Sequence, residues 1–129
     1  KIMATRSRIA IEMEDGSVQS IYCHFDGYPS HNGEVLSNHY DYEKTLQLIK
    51  LGDISFLGKS LDETIAYTRD RGEEAADNKP ITHTGIESFF NGDIEVWGYL
   101  ITNNGEWLTK SMEEENHNNL NKILKNDKD

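Results

Sequence analysis

Regular alternation of apolar and polar residues opens the chain and predicts a β-strand at residues 5–13. Ile9 and Ile11 fall on one face of this strand, and Arg6 and Arg8 fall on the other. In a strand, successive side chains point to opposite faces of the sheet, so the aliphatic face is expected to be buried. The arginine face is then expected to face the solvent.

A second strand and two helices are predicted after this first strand. Residues 14–17 are rich in turn formers and 18–25 in β-formers, which together predict a hairpin. The polar segment 26–33 predicts a loop that leads into a helix carrying Val35, Leu36, His39 and Tyr40. A second helix is expected to begin after Asp41, as its N-cap, and to end at Gly52.

The remaining two thirds of the chain alternate between short elements and loops. The predictions are, in order, a loop or single helical turn at 53–61, a strand at 64–68, a mobile surface loop at 73–80, a short helical or turn segment at 85–92, a strand at 94–102, a turn at 103–105, a strand at 106–110 and a helix at 112–125. Within the strand at 94–102, Trp97 shares a face with Tyr99 and is the aromatic residue expected to reach a partner.

These elements predict an α+β fold: a mainly antiparallel sheet of about five strands, with three to four short helices packed on one side of it. The length of 129 residues predicts a single domain over 1–129, with 1–4 and 126–129 flexible. Met3 begins a segment typical of a translation start, which would make Lys1 and Ile2 foreign to the natural chain.

The net charge limits the kinds of binding partner that the sequence predicts, and the cysteine content indicates the cellular compartment. The formal net charge of −10 disfavours generic nucleic-acid binding and favours basic partners, and it also suits a protein that imitates DNA. Cys23 is the single cysteine, which is typical of a reducing compartment such as the cytoplasm. The sequence shows no apolar run long enough to cross a bilayer, so no membrane association is expected.

The sequence contains no strong catalytic or cofactor signature, and no cofactor is predicted. Cys23 and His24 are adjacent, but neighbours in a strand point to opposite faces and cannot pair as nucleophile and base. His24, Asp26, His31 and His39 are residue types that bind metal ions, although their spacing matches no tight ligand motif. Histidines near a loop more often cap backbone groups or stack on aromatic rings, and no metal site is predicted.

The sequence offers clearer candidates for binding residues than for catalytic residues. Arg6 and Arg8 are repeated in spacing by Arg69 and Arg71, which end another predicted strand. If the strands are neighbours, the four guanidinium groups could hold a phosphate-bearing ligand. The candidate ligand-binding or partner-binding residues are Arg6, Arg8, Tyr22, His24, Asp26, Tyr28, His31, Arg69, Arg71 and Trp97. The alternative is that the arginines form surface ion pairs with Glu12, Asp70 and Glu95.

Several segments resemble small accessory proteins of tailed bacteriophages. They are ATRSRIAIE at 4–12, GSVQSIYCHFDGYP at 16–29 and HNG at 31–33, with LGDIS at 51–55 and YTRDRG at 67–72 further on. The resemblance is concentrated in the first third of the chain. It implies a setting in the cytoplasm of an infected host, where such proteins redirect host machinery or block host defences, usually by binding. It identifies no site residue.

Three functions follow, in order of preference. The first is inhibition of a host defence or regulatory factor by stoichiometric protein binding, with or without imitation of DNA. The alternative is a protein that sequesters a phosphate-bearing nucleotide signal through the arginines and nearby aromatic residues. The third is a small metal-dependent hydrolase built on His24, Asp26 and His31. Binding is favoured over catalysis, and open sheet edges make a homodimer a further expectation.

Overall fold

A mixed β-sheet forms the centre of the computed structural model, which describes residues 4–127. The strands are β1 (Ser7–Glu12), β2 (Val18–Cys23), β3 (Ile54–Phe56), β4 (Ile65–Ala66), β5 (Ile81–His83), β6 (Trp97–Ile101), β7 (Trp107–Ser111) and β8 (Asn118–Asn119). Their order across the sheet is β4-β3-β2-β1-β6-β7-β8, and β5 also pairs with β2. The two longest strands, β1 and β2, therefore lie in the interior of the sheet.

The hairpin of β1 and β2 follows the alternation in the sequence. Ile9 lies opposite Ile21 in the antiparallel register, and both side chains are fully buried, as is Ile11. On its other edge β1 pairs with β6 in a parallel arrangement, with Ile9 opposite Tyr99. Buried aliphatic and aromatic residues on these adjacent strands form one continuous apolar face.

Five α-helices surround the sheet within the described residues. They are α1 (Glu34–His39), α2 (Tyr42–Lys50), α3 (Tyr67–Arg71), α4 (Ile86–Phe90) and α5 (Leu120–Asp127). A π-helical turn at Pro29–Gly33 precedes α1 directly. The predicted N-cap of α2 is confirmed, because the Asp41 carboxylate accepts a hydrogen bond from the Lys44 backbone N–H at 2.8 Å.

Helices cover both faces of the sheet, and the prediction that they lie on one side is wrong. Side chains of α1, α2 and α5 pack on the face of Ile9 and Ile11. On the opposite face, Phe89 and Phe90 of α4 pack against Ala10 and other buried residues in a second apolar cluster. The sequence gives little sign of this second core because β1 contributes only one small residue, Ala10, to it.

Two predicted elements differ from the structure because short strands carry too little periodicity to be recognised. The segment 53–61, predicted as a loop or single helical turn, contains β3, and the predicted strand at 64–68 is β4 followed at once by α3. β3 is recruited by backbone hydrogen bonds from His24 and Phe25 to the carbonyls of Ile54 and Ser55. Such long-range pairing overrides local sequence preference.

The C-terminal helix and the polar loop at 73–80 also differ from prediction. The helix expected at 112–125 begins only at Leu120, after β8. The segment 73–80 contains a short 3-10 turn at Ala75–Asp77, and Asn78 is buried and accepts a hydrogen bond from the Asp53 N–H at 2.8 Å. This loop is therefore anchored to the end of α2 and the start of β3.

The α+β class is confirmed, and the strand count and sheet type are corrected. The described residues form eight strands rather than about five, and the β1–β6 and β2–β3 pairs are parallel. No described helix combines the length and apolar character needed to cross a membrane. The predictions for 1–3, 128 and 129, including the start at Met3, fall outside the described residues.

Candidate functional site

One end of the sheet gathers several of the predicted binding residues. Ser7, near the start of β1, lies opposite Cys23 at the end of β2 and opposite Trp97 at the start of β6. The three strands therefore present their neighbouring loops at the same edge of the molecule. We call this surface the aromatic rim, formed by Arg6, His24, Phe25, Tyr28, Val96 and Trp97.

Apolar side chains of the aromatic rim are accessible to solvent. Phe25, Tyr28 and Val96 have exposed fractions of 37%, 39% and 37%. Trp97 is only half-buried and packs partly against the core, so it joins the rim by one side of its ring system. Tyr and Trp supply large contact areas at low entropic cost, which makes them frequent anchors of protein interfaces.

The backbone beneath the aromatic rim is held in place by hydrogen bonds between strands and loops. The Gly27 N–H donates to the Thr5 carbonyl at 2.8 Å, and the Val96 N–H donates to the Arg6 carbonyl at 3.1 Å. Tyr99, which is buried, donates its hydroxyl to the Gly27 carbonyl at 2.6 Å. Both loops are thereby fixed to β1 and to the core, so the rim is formed before any partner arrives.

Both loops of the rim contain a non-glycine residue in the left-handed region. Asp26 has φ of 59° and Glu95 has φ of 64°, and these are the two non-glycine residues with positive φ among residues 4–127. Hydrogen bonds support each of them: the Asn32 N–H donates to the Asp26 carbonyl, and the Glu95 N–H donates to the Asp93 carboxylate. Strained backbone of this kind is concentrated at functional sites.

Tyr22 and His24 form a coupled polar pair beside the rim. The Tyr22 hydroxyl and His24 Nδ1 are 2.7 Å apart, and the His24 ring meets Phe25 edge-on with centroids 4.6 Å apart. Burial raises the pKa of Tyr22, and the nearby charge of Arg6 opposes that shift. The pair therefore holds the rings of His24 and Phe25 in a defined orientation.

Arg8 does not reach this surface, which corrects the prediction of an exposed arginine face. Its exposed fraction is 7%, and its guanidinium donates to the Ser20 hydroxyl at 2.9 Å and to the Ser20 carbonyl at 3.1 Å. Desolvation by burial lowers the pKa of Arg8, and the negative charges of Asp53 and Glu95 oppose the shift. Arg8 lies on the same face of β1 as Ala10, which is buried in the second apolar cluster, whereas Arg6 is exposed.

Arg69 and Arg71 lie on α3 rather than at the end of a strand. Arg69 forms an ion pair with Asp70 at 2.8 Å and also donates to the carbonyls of Leu61 and Thr64. Arg71 lies over the ring of Tyr67, with its guanidinium carbon 5.8 Å from the ring centroid. Arg8 and Arg69 therefore have separate sets of partners, and the ion pair with Asp70 matches the alternative considered from sequence.

A groove lies next to the rim on the side of Tyr28. We call it the His31 groove; it has a volume of about 470 Å³ and is lined by His31, Glu34, His39, Phe56, Lys59 and Glu63, among others. The rings of Tyr28 and His31 are in edge contact at 6.5 Å between centroids, so the groove adjoins the rim. Asp26 accepts a hydrogen bond from the Tyr28 hydroxyl at 3.1 Å.

Cys23, His24 and the candidate metal ligands were considered from the sequence for catalysis or metal binding. Cys23 is fully buried, and desolvation raises the pKa of its thiol to about 11, so it is a poor nucleophile in the folded chain. His24 contacts Tyr22 and Phe25. Within residues 4–127, no group of three or more His, Cys, Asp or Glu side chains is placed to hold a metal ion.

Two members of the aromatic rim, Phe25 and Val96, were missed by the sequence analysis. Phe25 was predicted inside the strand at 18–25, but β2 ends at Cys23 and Phe25 lies exposed at the surface. Val96 was placed inside a strand that in fact begins at Trp97. The end of β2 and the start of β6, which sequence patterns locate poorly, therefore determine which residues belong to the aromatic rim.

Comparisons with known proteins found no matching family model, no matching curated protein and no matching solved structure. The assignment of a function to the site therefore depends on its own geometry and on the sequence features described above.

Proposed function

We propose that this chain is a stoichiometric protein-binding domain that uses the aromatic rim to hold, and thereby inhibit, a host defence or regulatory factor. The resemblance to phage accessory proteins suggests the host setting in the cytoplasm. The feature that most supports binding is the exposure of Phe25, Tyr28 and Val96 on loops that are already fixed to the core.

Pre-organisation is the physical reason why this surface suits binding. A flexible loop loses conformational entropy when it meets a partner, whereas a loop already bonded to its neighbouring strands loses little. The hydrogen bonds of Gly27 to Thr5 and of Val96 to Arg6 provide that order. Most of the free energy gained by burying the exposed rings then contributes to the affinity, because little is lost in ordering the loops.

The overall charge favours a basic partner. A formal net charge of −10 creates a negative field that accelerates encounter with a basic surface and repels nucleic acid. Association should therefore slow down as salt is added, because salt screens charges separated by more than about 8–10 Å at 0.1–0.15 M. A strongly negative charge is also required if the protein inhibits its partner by imitating DNA.

Affinity capture with matched variants tests this proposal. We expect Phe25→Ala and Tyr28→Ala to weaken binding of the protein captured from host lysate by about tenfold each, because truncating an interface anchor costs roughly 1–2 kcal/mol. Ile81→Ala and Ile81→Ser are the controls, because Ile81 is an apolar residue that is 49% exposed and lies on β5, opposite Ser20 and away from the rim. They should change the affinity by less than about twofold.

Two outcomes would contradict the proposal. One is the absence of any specific partner in lysates of both infected and uninfected hosts. The other is a partner whose affinity responds equally to the rim variants and to the control variants. Circular dichroism of each variant would show that the fold is kept.

Sequestration of a nucleotide signal is the second candidate, supported by a smaller set of residues than the sequence suggested. Arg6 and Tyr67 both lie close enough to Tyr22 to influence its pKa electrostatically, and Arg71 lies over the ring of Tyr67. Two cations and two phenol rings near one another can receive a phosphate and a base. A rise in melting temperature with a member of a nucleotide panel, lost in Arg6→Ala, would favour this candidate over protein binding.

A further inference from the structure

His31 is held in one tautomer by a neighbour in the core. Asn32 is fully buried, and its side-chain amide nitrogen donates to the Ser7 hydroxyl at 3.2 Å and to the Cys23 sulfur at 3.4 Å. With the amide nitrogen turned to Ser7 and Cys23, the Asn32 oxygen faces His31 Nδ1 at 2.9 Å. An amide oxygen only accepts, so Nδ1 is the donor in that contact.

This arrangement determines what His31 offers to a ligand. With Nδ1 protonated, the neutral imidazole carries its lone pair on Nε2, which is a hydrogen-bond acceptor. Among the described side chains, Nε2 has no hydrogen-bond partner. Because His31 lines the groove while its Nδ1 is turned to the core, Nε2 is the ring nitrogen left to the groove.

Aromatic rings and carboxylates complete the lining of the His31 groove. Phe56 meets the His31 ring with centroids 5.4 Å apart, and Tyr28 meets it edge-on at 6.5 Å, at the junction with the rim. Glu34 of α1 and Glu63 also line the groove. The position of Glu63 is fixed in part by its close packing against Gly58, where no Cβ can be accommodated.

We propose that the His31 groove binds the side chain of an arginine residue from the protein partner. A guanidinium group is planar, stacks on aromatic rings and carries only donors, so it matches Phe56, the acceptor Nε2 of His31 and the carboxylate of Glu63. This inference rests on the proposed function, because the groove adjoins the aromatic rim at Tyr28. The inference adds that the partner carries an arginine next to the apolar patch with which it contacts the aromatic rim.

Lys59 is the one groove residue whose charge opposes this ligand. Its side chain is exposed and lines the groove together with Glu63, so its positive charge offsets that of the carboxylate proposed to bind the guanidinium group. Removing the lysine charge should therefore improve binding of a cation, which gives the proposal a test by gain of affinity. Variants that lose binding through misfolding cannot produce that result.

The test is an NMR titration of the full chain with the blocked tripeptide acetyl-Gly-Arg-Gly-amide. The comparison peptide carries citrulline, which has nearly the shape of arginine but no charge. We expect the arginine peptide to bind at least fivefold more tightly and to shift the ring signals of His31 and Phe56. Lys59→Gln should tighten its binding about twofold to fivefold, and Glu63→Gln should weaken it by a similar factor.

Glu113→Gln is the matched control, because Glu113 is exposed, lies outside the groove and changes the net charge equally. Equal affinity for the arginine and citrulline peptides would overturn the inference. So would equal effects of Glu63→Gln and Glu113→Gln, or ring signals that shift elsewhere on the molecule.

Failure of this inference is distinguishable from failure of the proposed function. If the rim variants lose the protein partner while Glu63→Gln keeps it and the two peptides bind alike, protein binding stands and the arginine site falls. If the rim variants keep the partner, the proposed function falls whatever the peptide titration shows.

Discussion

At the scale of single residues, the structure contains a buried polar network built on Arg8. Its guanidinium donates to Ser20, and the Ser20 hydroxyl lies 2.8 Å from Nε2 of His83. The His83 ring also meets Phe89 of α4 edge-on, with centroids 5.2 Å apart. Desolvation, and secondarily the positive charge of Arg8, lower the pKa of His83 below its ordinary value. Folding therefore favours the neutral imidazole.

This network predicts a loss of stability in mild acid. In the unfolded chain His83 takes up a proton near its ordinary pKa of about 6.5, whereas in the folded chain it does so only at lower pH. Below about pH 6.5 the unfolded state holds more protons, so the free energy of unfolding decreases as the pH falls. His83→Gln should make this slope shallower, by no more than about 1.4 kcal/mol per pH unit.

Urea denaturation between pH 7.5 and 5 measures the effect. His39→Gln is the control, because His39 is an exposed residue outside the network. An unchanged slope in His83→Gln would show that the imidazole gains its proton equally in both states.

At the scale of elements, the loop after β2 is fixed to the start of β1 at Gly27. The Gly27 N–H and carbonyl are both hydrogen-bonded, to Thr5 and Tyr99. A Cβ placed on Gly27 would lie 2.8 Å from the Thr5 carbonyl oxygen and 2.8 Å from the Ser7 Cβ. This spacing is well inside van der Waals contact, so only glycine permits the close approach of loop and strand.

Gly27→Ala should separate the loop from β1 and disturb the aromatic rim. We expect the free energy of unfolding to fall by about 1–3 kcal/mol, the usual cost of overpacking, and partner binding to weaken in parallel. Chemical denaturation and affinity capture measure the two effects. Gly85→Ala is the control for the added methyl group, because its Cβ would meet only the Gly16 carbonyl oxygen at 3.8 Å.

A variant that loses stability but binds the partner unchanged would show that the fixed loop is not required for binding. A variant that loses neither would show that the loop shifts to accommodate the methyl group.

At the scale of the whole molecule, helices on both sides enclose the central strands of the sheet. Cys23 lies at the end of β2, within the larger apolar cluster, and is fully buried. Its sulfur contacts the Asn32 amide, and its thiol donates to the Phe25 carbonyl at 3.4 Å. Reagents should reach the only cysteine of the chain when the packing around β2 opens.

Alkylation of Cys23 therefore reports on unfolding of the protein. The folded chain should react with iodoacetamide about a thousandfold or more slowly than the chain in concentrated urea, because an ordinary domain is stable by at least about 5 kcal/mol. The raised thiol pKa slows the native reaction further, since the thiolate is the reactive form. Mass spectrometry of timed samples measures the rate. Rapid alkylation of the folded chain would contradict the burial of Cys23.

The sequence predicted the parts of the fold that depend on local pattern. Alternation identified the hairpin of β1 and β2, the Asp41 cap identified the start of α2, and the turn at 103–105 identified the hairpin of β6 and β7. These elements are specified by residues close together in the chain. The short strands β3 and β5 were not recognised, because they depend on long-range pairing, of β3 with β2 and β4 and of β5 with β2.

The sequence predicted only part of the candidate site, because the rest depends on contacts between residues far apart in the chain. Arg6, His24, Tyr28 and Trp97 were nominated from residue type, and the register of β1 with β2 and β6 brings them to one end of the sheet. Arg8 was expected to be exposed and is buried, whereas Phe25 was predicted inside a strand and lies exposed in a loop. Arg8 is bonded to Ser20, which also contacts His83 from a distant part of the chain, and the early end of β2 exposes Phe25.

By itself, the sequence determined the α+β class, the buried aliphatic face of β1 and the acidic character of the molecule. Each follows from residue spacing or from charge, which need no knowledge of distant contacts. Only the tertiary structure decided the strand order, the second core under α4 and the meeting of the aromatic rim with the His31 groove. These depend on pairings between residues far apart in the chain, whose partners no local pattern specifies.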